Sequence, residues 1–142
     1  MFVSEPGSGV AGAGLIAIAL WLLRWDIAWR TIRIAGLSRF MAASLLSGYF
    51  WLFAAGVLWI IYAGDFIAGL HYDAMLHSIF LGFVFVTIFA HAPIILPSVT
   101  DVSLTFQNTF YAHLILLHLS LLLRICGDLA DLPPARRQVP DW

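Results

Sequence analysis

At 142 residues the chain has room for one domain, and it is 62% hydrophobic and 11% charged, with a mean hydropathy of +0.94. A soluble domain carries about 25% charged residues, so this composition points to an integral membrane protein. The net charge is −1 and lysine is absent, which excludes a basic surface for nucleic acid. The single cysteine, Cys126, excludes an internal disulfide and any CxxC metal or redox site.

The N-terminal stretch MFVSEPGSGVAGAGLIAIALWLLRW has no basic residue ahead of its apolar part. Arg24, Arg30, Arg33 and Arg39 all come after it. A secretory signal has the opposite order, so residues 10–25 read as a first spanning helix, and Trp21, Trp25 and Trp29 mark its meeting with the interface. Three further apolar segments lie at roughly 40–62, 73–96 and 104–126, each near the ~20 residues of a bilayer crossing. Gly36 is the expected break before the second. Pro93 and Pro97 are expected to close the third, since proline gives up a helical hydrogen bond. Residues 129–142 form a polar, Pro-rich tail. The expected fold is therefore all-α, an integral membrane bundle of about four transmembrane helices.

Four arginines between the first two helices argue for a cytoplasmic first loop and an outside N-terminus. Arg124, Arg136 and Arg137 pull the other way. The second helix carries Ala43, Ser44, Ser47 and Gly48, then Ala54, Ala55 and Gly56. Small residues at this spacing let backbones approach closely in lipid. Packing within the chain's own bundle is the expectation, ahead of a dedicated subunit interface.

The polar groups inside the spans are His77 and His91 on the third helix and His113 and His118 on the fourth. Ionisable groups in spanning helices are expensive and usually face the bundle interior with a partner. At ~100° per residue, Asp73, His77, Val84, Ile88 and His91 fall on one stripe, with the two histidines about 21 Å apart along the axis. On the fourth helix, Thr109, His113, Leu117, Ser120 and Arg124 share one face, while Gln107, Tyr111 and His118 lie on another. The short connection PSVTDVSLTF makes the two helices antiparallel neighbours. Two clusters are then expected: His91 with His113 near the turn, and Asp73, His77 and Arg124 near the opposite surface.

Neutral imidazole is the commonest protein metal ligand, which makes His91 and His113 the first candidates to hold a metal or haem iron, with His77 and His118 second. The alternative is that all four rings only bridge helices by hydrogen bonds. Asp73 and Arg124 read as interfacial anchors or a structural ion pair and, with Tyr111, as candidate supporting residues of a metal site; His71 reads as a solvated loop residue and Cys126 as a packing residue. Tyr111 is a candidate proton-transfer group.

The stretches GLSRFMAASLLSGYFWLFAAGVLW, YDAMLHSIFLGFVFVTIFAHAPIILP and FYAHLILLHLSLLLRICGDL resemble the C-terminal part of the NnrS-like membrane proteins, over residues 36–128. In particular, His77, Ser78 and Gly82, and the run Leu116–Arg124, match that family's pattern. Where the family leads toward an arginine and a Gly–His pair, this chain has FAHAPIILP, with His91 and no arginine. The resemblance implies haem b and/or copper and a part in the bacterial response to nitric oxide, at the inner membrane. It also implies a chain that needs further transmembrane helices, from a homo-oligomer or a partner chain, beyond its contact with the lipid bilayer.

Two other readings stay open. One is a structural membrane subunit or truncated fragment. The other is a proton-coupled transporter using Asp73, His77, Tyr111 and His118. No nucleophile–base pair or phosphate loop is present, so any enzymatic chemistry would be redox chemistry carried by a bound metal cofactor.

Overall fold

In the computed structural model, which describes residues 6–62 and 69–130, every regular element is helical. Helix α1 spans Pro6–Trp25, the single turn α2 Ala28–Thr31, and α3 Leu37–Ile61. The next helix is continuous from Leu70 to Thr100: α4 (Leu70–His77) passes through a π-helical segment (Ser78–Phe85) into α5 (Val86–Thr100). Helix α6 spans Thr109–Leu129. Three of these are long and apolar enough to cross a membrane: Leu37–Ile61, Leu70–Thr100 and Thr109–Leu129. The apolar part of α1, Gly9–Trp25, is shorter.

Local chemistry explains most of the boundaries. Gly36 precedes α3 with φ +84°, a conformation that costs glycine nothing and other residues a steric penalty. Pro93 and Pro97, however, do not end the third helix. It runs through both to Thr100 and stops at Asp101, which adopts a left-handed φ of 57° and donates its N–H to the Pro97 carbonyl at 3.0 Å. Breaking an apolar helix would free more backbone groups than the two bonds that these prolines give up, so the helix continues. As a result the connection occupies 101–108 and α6 begins at Thr109 rather than near 104. The polar tail lies outside the described residues beyond Ala130.

Helix α3 is the centre of the bundle. On one side α1 crosses it antiparallel, with Gly12 against Gly56. On the other, Gly48 faces the backbone of Gly82 and Phe83, and Trp51 lies over Gly82. The small residues of α3 are thus spent inside the chain. Helix α6 runs antiparallel to α4 and the π segment, enclosing one core of Trp51, Ala74, Leu121 and Ile125. A second core of Phe40, Val86 and Leu114 takes in Phe106, Phe110 and Tyr111 at the turn end. The outer faces are apolar and uncovered, with Leu116, Leu119 and Leu123 exposed on α6, Ile88 on α5 and Phe50 on α3.

Several serine and threonine hydroxyls inside these helices are satisfied locally. Ser44, Ser78 and Thr87 each donate to the carbonyl four residues back, at 2.7–2.8 Å. The Tyr49 hydroxyl instead makes a long-range link: it donates to Asp26 Oδ2 at 2.5 Å, while Asp26 Oδ1 accepts the Ala28 N–H at 2.7 Å. One carboxylate therefore pins the turn after α1 to the side of α3.

Candidate functional site

The antiparallel packing of α4 against α6 brings four polar side chains together at one end of the bundle. Arg124 Nη2 donates to Asp73 Oδ2 at 2.7 Å, and Arg124 Nε lies 3.3 Å from Asp128 Oδ2. His77 completes the group: ligand atoms of Asp73, His77 and Asp128 all lie within 4.8 Å of one another. The expected cluster of Asp73, His77 and Arg124 is present. Asp128 is its unforeseen member, and it is the most buried, at 4% exposure.

The four helix histidines share one feature. Nδ1 of His77, His91, His113 and His118 is hydrogen-bonded to the carbonyl of Asp73, Thr87, Thr109 and Leu114 respectively, at 2.7–3.0 Å. A carbonyl oxygen only accepts, so each Nδ1 is the donor. In the neutral ring the lone pair is then on Nε2. Among the described residues, none of the four spends Nε2 on a hydrogen bond to another helix. His118 Nε2 is buried with no hydrogen-bond partner, and its ring stands edge-on to Trp51 at 6.4 Å.

The expected meeting of His91 and His113 is not found. Near the turn, α5 and α6 splay apart around an apolar crevice of about 280 Å³. Phe89, Pro93 and Leu96 line it from α5, and Phe110, His113 and Leu114 from α6. At 100° per residue His91 falls about 150° from the α5 residues that face the crevice, so it looks away from His113. The single stripe drawn from Asp73 to His91 also fails. The π segment bonds i→i+5 instead of i→i+4, which adds a residue to the turn and rotates the remainder of the helix by roughly 100°. His77, ahead of the π segment, stays with Asp73 in the end cluster, while Ile88, beyond it, is 55% exposed.

Tyr111 and His71 are held by ring packing, whereas Cys126 is not. Tyr111 stands edge-on to Phe40 at 5.3 Å within the aromatic cluster, a full two turns from His118. His71 is not a loop residue: it lies in the first turn of α4 and stacks on Tyr62, with centroids 4.1 Å apart. Cys126 is exposed on α6 and fills no core position.

Comparison with known proteins adds a family to this geometry. The model of a domain of unknown function, DUF8744, matches residues 1–139. The chain belongs to that family. No match was found among curated proteins or among solved structures.

Chemically, this DUF8744 chain offers two kinds of site. The end cluster is an oxygen- and nitrogen-rich group suited to a cation or to a proton. The histidines higher in the bundle present single imidazole nitrogens in apolar surroundings. Asp128 had a signal in the sequence, because Arg124 and Asp128 are four apart on one helix face. Asp26 had none, since its partner Tyr49 is 23 residues away.

Proposed function

We propose that the chain is an integral membrane protein of four spanning helices that binds haem or copper through helix histidines. It would then act in electron transfer, metal handling or the response to nitric oxide, as its resemblance to the NnrS-like proteins implies. One observation carries this reading: four helix imidazoles hold Nδ1–H on their own helix and leave Nε2 uncommitted. A ring whose task was only to tie helices together would direct Nε2 at a neighbouring helix. A metal-ligating histidine, by contrast, commonly fixes one nitrogen on a carbonyl and binds with the other.

The fit to the group is partial. His113, on the wall of the apolar crevice, is the first ligand. His91 does not supply the second ligand within the same chain, because it faces the other way. A two-histidine haem would therefore need a ligand from a second copy or another membrane chain. The bound group would supply redox chemistry, and the protein's part is to hold it by imidazole and surround it with carbon. A reduced-minus-oxidised visible spectrum of the detergent-purified protein, with iron and copper quantified, tests the proposal. Soret and α/β bands, or stoichiometric copper, are expected; a flat spectrum with neither metal counts against it.

A further inference from the structure

The end cluster carries an inference separate from the haem or copper reading. The geometry points to a divalent-cation site formed by Asp73, His77 and Asp128, for which Arg124 is the built-in competitor. The three residues offer one nitrogen and two carboxylate oxygens, a set that takes ions such as Zn²⁺, Mn²⁺ or Fe²⁺ rather than the thiolate-seeking ones. Their ligand atoms lie within 4.8 Å of one another. Three ligands each at about 2.0–2.2 Å from one zinc ion stand roughly 3.4–3.8 Å apart from one another, so side-chain rotations that draw the set in by up to about 1 Å close the site. His77 is already oriented for it, since Nδ1 donates to the Asp73 carbonyl at 2.7 Å and leaves Nε2 as the ligand.

Asp128 is the independent observation. It is 4% exposed, and its Oδ2 is buried without a hydrogen bond, with the Arg124 Nε at 3.3 Å and the Asp73 carboxylate close by. It also sits at the C-terminal end of α6, the negative pole of the helix, with no basic residue in that last turn. A carboxylate so placed calls for more positive charge than one guanidinium shared with Asp73. The two acids carry −2 and Arg124 returns +1, leaving one charge unbalanced. A divalent ion balances both acids once Arg124 withdraws, and its side chain, 49% exposed, has open space to do so. Arg124 thus holds the site closed in the absence of the ion.

The test is calorimetric titration of the chelator-treated, detergent-purified full chain with Zn²⁺ alone. The wild type is expected to bind one Zn²⁺ per chain at this set, His77→Gln and Asp128→Asn to bind at least tenfold more weakly, and Arg124→Gln about tenfold more tightly. If Asp128→Asn does not fold, His77→Gln decides, because that ring is only partly buried. An affinity unchanged by His77→Gln, or one that Arg124→Gln does not raise, overturns the proposal and leaves a structural ion pair. Zn²⁺ binding by a chain that carries neither haem nor copper separates this outcome from failure of the histidine–haem reading.

Discussion

Gly12 and Gly56 occupy each other's side-chain space: a Cβ on either would lie 2.9 Å from the other's carbonyl oxygen and 2.7 Å from an isoleucine Cγ1, that of Ile60 or Ile16. Backbone cannot yield as a side chain tip does, so α1 is held against α3 only while both positions lack a side chain. Gly12→Ala and Gly56→Ala should each destabilise the folded state by about 1–3 kcal/mol, the usual cost of overpacking. Gly14, two residues from Gly12 with open space around it, is the control. Gly14→Ala should be neutral or slightly stabilising through helix propensity. Equilibrium unfolding in mixed micelles compares the three.

Tyr49→Phe removes the hydroxyl that Asp26 Oδ2 accepts but leaves the ring in place. A hydrogen bond to a charged group contributes about 1.5–3 kcal/mol, and that loss should appear in the same unfolding assay. Cleavage by protease between α1 and α3 should also speed up, because the carboxylate then anchors only the Ala28 N–H.

Gly82, in the π segment, carries a third constraint. A Cβ there would meet Trp51 Cβ at 2.5 Å and Cγ at 2.6 Å. Gly82→Ala should therefore cost about 1–3 kcal/mol and change the tryptophan emission, since the Trp51 ring must shift. An unchanged emission maximum with unchanged stability would mean that the π segment packs differently.

The proposed topology of four spanning helices puts residue 7 and residue 130 on one side of the membrane and residue 101 on the other. In a Cys126→Ser background, Gly7→Cys and Ala130→Cys should react with an impermeant maleimide from the same face, and Asp101→Cys from the opposite one. Labelling of Gly7→Cys together with Asp101→Cys would mean that α1 does not cross.

The helical class and the positions of the long apolar helices come from composition and run length, which act locally. The small-residue faces of α3 also announced close helix contacts. What escaped was anything that depends on helix phase across a defect. The π segment has no sequence mark, yet it rotates His91 away from the direction that a regular period assigns to it. Proline misled for a related reason, because the rule that stops helices in water weakens where unpaired backbone has no water to turn to. The Asp73–Arg124 contact was legible because both lie at matching depths on antiparallel neighbours. Asp128 escaped because it falls between the last apolar segment and the polar tail, although its spacing from Arg124 places it in the cluster.

The most direct measurement is the iron and copper content per chain of the wild type and of His113→Ala, both purified from metal-replete cells. Near-stoichiometric metal is predicted in the wild type, and its loss in His113→Ala, with the variant still folded by circular dichroism. A metal-free wild type, or a His113→Ala variant that keeps its full complement, would contradict haem or copper ligation by the helix histidines.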